Sequence, residues 1–255
     1  NLNTKYLTLN NKFKSLLKKE FNRYFSSTIY MINTMFGMFL LLVATIALCL
    51  NFDSAISFIS SGEMPTEDIT TLHTLAPKVF ISIIIAMSFM TSITSSSISL
   101  EGKSFNISKS LPVKEDLILF AKVMMSNIIT IPVVLICDVV FLLSFSVSVL
   151  DSILIICTSF IAPSIAAVFG LIVNLRFPKM DASSDTEVVK QSMSTMVAVF
   201  GGIILSMIFV MITFALAGLG DYAMIYETLL LALILILLWH HLVKVGKKKF
   251  RAIEC

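Results

Sequence analysis

The chain has 255 residues, of which 57% are apolar and only 14% charged, with a mean hydropathy of +0.94. A soluble domain carries about 25% charged residues, so too few charges remain here to cover a water-exposed surface. Disorder, a coiled coil and a free cytosolic enzyme are excluded, and twenty Phe and fourteen Met among abundant Ile and Leu indicate an all-α protein that crosses a membrane several times.

The first residue is Asn1, not Met, and the opening segment is polar and basic with no signal-peptide pattern. The expectation is a piece of a longer chain, or a processed one. Within residues 12–25, Phe13, Leu16, Leu17, Phe21 and Tyr24 recur at helical spacing among Lys14, Lys18, Lys19 and Arg23. That pattern predicts an amphipathic helix lying at the membrane surface.

A bilayer core requires about 20 apolar residues per helix. Six runs qualify, near 29–50, 79–97, 123–145, 153–175, 193–216 and 224–243. The third lies in a longer apolar stretch interrupted by Lys122, Asn127, Pro132 and Asp138, and reads as one helix kinked near Pro132. This divides the chain into a cytoplasmic amphipathic helix at 1–27, a six-span domain at 28–245 and a basic cytoplasmic tail at 246–255. Of the 19 Lys and Arg, all but Lys78 fall on one side of such a weave. Lys103, Lys109, Lys114 and Lys122 lie in the second connection, and Arg176, Lys179 and Lys190 in the fourth. Asp53, Glu63, Glu67, Asp68, Asp151, Asp221 and Glu227 fall on the opposite side. The positive-inside rule then puts both termini in the cytoplasm.

The connection at 99–116 carries apolar Phe105, Ile107 and Leu111 on a short segment outside the membrane, bounded by Gly102 and Pro112. Such a segment requires either a partner or the lipid surface. In the fourth connection Ser184 and Glu187 have capping-box spacing, which predicts a helix starting there and running into the fifth span. Residues 65–68, Pro-Thr-Glu-Asp, start a short outer helix that turns Ile69, Leu72 and Leu75 towards the membrane.

Ser99-Leu-Glu-Gly-Lys-Ser, Lys109-Ser-Leu-Pro-Val, Asn174-Leu-Arg-Phe-Pro-Lys and Glu187-Val-Val-Lys-Gln-Ser192, in this order, resemble the membrane subunits of bacterial type-2 ATP-binding cassette exporters. The resemblance covers most of the chain. It implies a permease subunit, or the C-terminal half of one, in a bacterial plasma membrane. A second permease half and ABC ATPase subunits are its implied partners. The segment at 12–25 would be the connecting helix, and 101–112 would hold the coupling helix that docks on the ATPase. Glu101 and Lys103 would make charge contacts at that joint, Phe105 and Leu111 would fill a groove, and Gly102 and Pro112 would bound the element. No phosphate-binding glycine loop occurs, so the chain itself needs no cofactor and ATP and Mg would sit in the partner.

Other readings are weaker. Gly218-Leu-Gly-Asp221 matches an intramembrane aspartyl protease signature, which requires a second membrane carboxylate; Asp138 is the candidate. Asp138 and Asn127 share a helix face, which lines a path or seam, or else Asp138 is simply hydrogen-bonded to a nearby Ser. A non-transporting membrane scaffold or immunity protein is the third class. Trp239, His240 and His241 suit interfacial anchoring rather than a metal, and His73 stands alone. Cys49, Cys137, Cys157 and Cys255 lack disulfide or zinc spacing. The cationic tail suits anionic lipid, not nucleic acid.

Overall fold

The structure, a computed structural model, describes residues 2–60, 66–216 and 222–253, with side chains described except at 2–11, 53–60, 66–75 and 214. Apolar composition without strand-forming alternation gives helices throughout. In chain order they are α1 Leu2–Ser26, α2 Thr28–Ser60, α3 Thr66–Met90, α4 Phe105–Ser110, α5 Glu115–Ser144, α6 Val149–Arg176, α7 Asp185–Gln191, α8 Met193–Ala215, α9 Tyr222–His241 and α10 Lys247–Ala252. Among the described residues no strand occurs. Among the described residues six segments are long and apolar enough to cross a membrane, and each overlaps one of the six runs in the sequence. The chain is therefore an all-α, multi-pass membrane protein.

Helix α6 is the axis of the bundle. It packs against α3, α5, α8 and α9, while α2 leans on α3 and α5. Its inward face carries the small residues Ala162, Ala166, Ala167 and Gly170, which allow neighbouring backbones to approach. Larger side chains fill the space between, including Phe80 stacked on Phe141 with ring centroids 4.1 Å apart. By contrast α2 leaves Ile32, Phe36, Phe39, Val43, Ile46 and Leu50 exposed along one side. In a membrane protein that face meets lipid tails or another membrane helix.

The second span departs from the predicted continuous helix. α3 ends at Met90, and the chain then passes through two 3-10 turns, Ile93–Ser95 and Ser99–Ser104, before α4. The residues are Thr91-Ser-Ile-Thr-Ser-Ser-Ser-Ile-Ser99, whose hydroxyls compete with the backbone for hydrogen bonds and so weaken helix. All nine are buried. Irregular backbone is tolerated at such depth only when protein supplies its partners, and α6 does so. Gly170 of α6 lies where a Cβ would stand 2.2 Å from Ser92 Oγ and 2.7 Å from Thr94 Oγ1. Gly170→Ala should therefore push the broken segment off α6 and cost about 1–3 kcal/mol, read as a lower unfolding midpoint of the purified protein. An unchanged midpoint would contradict this packing.

Three further expectations are revised. The fourth connection does not run as one helix into the fifth span, because α7 and α8 separate at Ser192, which is extended at ψ 144. Ser192 Oγ accepts from Thr195 N at 3.2 Å, so it caps α8, and Thr195 Oγ1 donates back to Val188 O at the end of α7. The expected short outer helix is instead the first part of α3, which continues from Thr66 through Pro77; the side chains of Ile69, Leu72, His73 and Leu75 lie outside those described. Glu227, placed above among the outer charges, is buried inside α9 and accepts from Thr213 Oγ1 at 2.6 Å. The capping role of Ser184 holds, since its side chain accepts from Glu187 N.

Candidate functional site

The basic end of the bundle carries α1, α4, α7 and α10, and there the charged side chains converge. The stripe predicted on α1 is real: Leu16 and Tyr24 are buried, and Phe13, Leu17 and Phe21 are partly so. That face packs on α5, so protein covers much of what was expected to meet lipid. Glu20 sits on the same stripe, one turn from Leu16 and one from Tyr24. Burying the stripe therefore buries a carboxylate. At the C-terminal end of the stripe, Tyr24 Oη and Thr34 Oγ1 are 2.9 Å apart, and Tyr30 Oη donates to Ile93 O at 2.6 Å. These bonds fasten the turn between α1 and α2 to the broken segment.

Lys122 meets Glu20. It lies about two turns into α5 with no exposed surface, and is not the loop cation that the sequence suggests. Its neighbours Ile118, Leu119, Ala121 and Val123 are all buried. Its Nζ donates to both carboxylate oxygens of Glu20 at 3.0 Å, to Glu101 Oε1 at 2.6 Å and to Ser97 O at 3.2 Å. Glu101 in turn pairs with Lys19 at 3.2 Å and Arg23 at 3.3 Å, and accepts from Ser108 Oγ. Three cations and two carboxylates thus join α1, the broken segment, α4 and α5. Such a cluster is stable only when each charge is both paired and hydrogen-bonded.

Asn174 holds the other side of the broken segment. It is fully buried near the end of α6. Its Oδ1 accepts from Ile98 N at 2.7 Å and Ser99 N at 3.3 Å, and its Nδ2 donates to Ser99 Oγ at 2.8 Å and Ser194 Oγ at 3.0 Å. Ser99 Oγ also accepts from Lys179 N at 2.9 Å. One amide therefore ties α6, the break and α8 together. Gly102 then turns the chain at φ +45° and ψ −133°, a conformation open essentially to Gly alone.

The turn delivers α4. Phe105 is buried and meets Phe250 of α10, with centroids 4.8 Å apart. Leu111 is half-buried against the same apolar cluster. The sequence reading had Phe105 and Leu111 filling a partner's groove and Glu101 contacting a partner's charge; within the chain Phe105 fills an internal groove and Glu101 an internal cluster. The exposed side chains of this element are Lys103, Ser104, Asn106, Ile107, Lys109, Ser110 and Pro112, with Ile107 67% exposed.

The basic tail is also part of this assembly. A π-helical turn at Leu242–Gly246 leads into α10. Lys109 Nζ donates to Arg251 O at 2.9 Å and Ile253 O at 2.8 Å, Arg251 Nε pairs with Glu115 at 2.7 Å, and Lys247 pairs with Asp116 at 2.6 Å. So α10 clamps α4 to the first turn of α5.

The two intramembrane polar residues of α5 both face α6. Asn127 Nδ2 donates to Ser164 Oγ, and Asp138 Oδ1 accepts from Ser159 Oγ, each at 2.9 Å. The serine partner is one of the two alternatives open for Asp138. Asp221, the other carboxylate of the protease reading, lies outside the described residues, as does Cys255. Among the described residues no cluster of His, Cys, Asp and Glu could hold a metal. Compared with family models, with curated proteins and with solved structures, the chain matches none.

Proposed function

We propose that this chain is the permease subunit, or permease half, of a type-2 ATP-binding cassette exporter in a bacterial plasma membrane. Its basic end faces the cytoplasm, where α4 docks on an ATPase subunit that hydrolyses ATP. The observation that supports the reading is the mounting of α4. This short helix presents an apolar side chain, Ile107, to the outside, while Glu101 and Phe105 beside it are anchored inward. The buried ion cluster, Asn174 and α10 connect it to α1, α5, α6 and α8. A push on α4 is therefore passed to several spans at once, as a mechanical coupling requires.

In this reading α1 is the connecting helix, and the serine-rich break is the joint between the coupling element and the second span. Hydroxyl-to-backbone bonds re-form at low cost, so a segment held by them can shift more easily than a continuous helix. A second permease half completes the path across the membrane, and the exposed apolar face of α2 is available to it.

The test uses the full-length permease with its ATPase. Ile107→Asp should leave expression and thermal stability unchanged, because the side chain is exposed, while weakening ATPase association by about tenfold, the ~1.4 kcal/mol scale of a contact residue. Retained ATPase co-purification and substrate-stimulated hydrolysis in that variant would remove α4 as the docking element. Phe105→Asp is unsuitable for this purpose, since it buries a carboxylate against Phe250.

A further inference from the structure

Helices α5 and α9 both pack along α6, and a groove remains between them with α6 as its floor. Its volume is about 590 Å³, and Phe120, Asn127, Ser164, Val168, Trp239 and His240 are among its lining residues. A second cavity of about 490 Å³ adjoins it at the basic end of the bundle, lined by Lys12, Pro112, Lys114, Leu117, Phe120 and Trp239. Phe120 and Trp239 form a wall common to both, in edge-to-face contact with centroids 5.8 Å apart.

The two cavities differ in chemistry in the direction of membrane depth. The deeper is lined mainly by apolar side chains and carries no formal charge; at its far end Asn127 Nδ2 donates to Ser164 Oγ, while Asn127 Oδ1 has no described partner. The shallower carries the ammonium groups of Lys12 and Lys114. Lys12 Nζ donates to Pro112 O at 3.2 Å, which leaves two of its protons for another acceptor, and Lys114 is exposed. Asp116, which also lines this cavity, is neutralised by Lys247. The mouth is therefore net positive. Along α5 the distance from Lys114 to Asn127 is about 20 Å at 1.5 Å per residue, against roughly 15 Å for the hydrocarbon half of a bilayer. A headgroup at the lysines and an acyl chain in the groove match that span.

We propose that this groove is a binding site for a phospholipid with an anionic headgroup, drawn from the leaflet on the basic side. Its phosphate is held by Lys12 and Lys114, and its chain lies against Phe120, Val168 and Trp239. Charge complementarity selects the anionic lipid, because cationic side chains at a membrane surface each favour it severalfold. Because the shallow cavity is lined by both α1 and the entry to α5, the bound lipid bridges them at the base of α4. The proposal does not depend on the exporter reading.

Trp239 is the sole tryptophan of the chain and so reports on the groove directly. The purified full chain would be reconstituted in vesicles of phosphatidylcholine doped with either brominated phosphatidylglycerol or brominated phosphatidylcholine, and Trp239 fluorescence followed. The expected result is half-quenching by the anionic lipid at a mole fraction at least fivefold lower than by the zwitterionic one. Lys12→Gln with Lys114→Gln should abolish the difference, with the folded state checked by its unfolding midpoint. Equal quenching by both lipids would mean ordinary contact with the bilayer and would overturn the site. No quenching by either would mean that protein, such as a second permease half, covers the groove, and would overturn it equally.

Discussion

Lys122→Met is expected to destabilise the protein by about 3–5 kcal/mol, the cost of leaving buried partners uncompensated. The substitution keeps the length and apolar stem of the side chain, so the buried site stays filled and the loss is electrostatic. Glu20 loses its only described cation, and Glu101 its shortest ion pair, at 2.6 Å. Thermal unfolding of the purified chain in detergent measures the effect. Adding Glu20→Gln and Glu101→Gln to Lys122→Met should recover a large part of the loss, because positions 20, 101 and 122, the buried members of the cluster, then carry no unpaired charge. Lys19 and Arg23, which are partly exposed at 34% and 21%, can then turn to water. An unfolding midpoint that Lys122→Met leaves in place would show that the ammonium is not enclosed.

Asn174→Leu should cost about 2–6 kcal/mol, because the amides of Ile98 and Ser99 each lose their acceptor inside the protein, at ~1–3 kcal/mol apiece. Leu has similar bulk, so the effect is one of hydrogen bonding and not of a cavity. The loss should be local as well as global: hydrogen exchange at Ile98 and Ser99 accelerates while the interior of α6 keeps its protection. Ser194→Ala takes away only one acceptor of the Asn174 amide and should cost about 1 kcal/mol. Equal effects of the two substitutions would mean that Asn174 does not hold the break. In the exporter reading, Asn174→Leu also uncouples α4 from α6 and α8, so transport falls further than stability alone explains.

These two residues mark the limit of what can be read along the chain. Asn174 stood in the sequence as one letter of a motif, and nothing local says that its amide reaches a segment some seventy-five residues earlier. Lys122 was counted with the loop cations because it precedes the third apolar run. The available signals were Glu20, an acid in the middle of an apolar stripe, and Lys122, a base flanked by Ile118, Leu119 and Val123. Each signals a buried charge, and two of opposite sign suggest a pair. Glu101 illustrates the same limit: its place beside Gly102 suggested an outer contact, and only the turn at Gly102 shows that it points inward.

The amino-acid order determined by itself the number and place of the spans, the single basic side, the stripe on α1 and the cap at Ser184. Each depends on hydropathy or on spacing within a few residues, which local physics reads without knowledge of the neighbours. The end of α3 at Met90, the pairing of Lys122 with Glu20 and Glu101, the burial of Phe105 under α10 and the groove between α5 and α9 were decided only in three dimensions. A helix interior in apolar surroundings can continue or break according to whether another helix offers partners to its hydroxyls and amides. A charge can lie in a loop or in a core according to what faces it. Both depend on contacts between segments far apart in the chain, and α6, packed against most of the others, makes most of them.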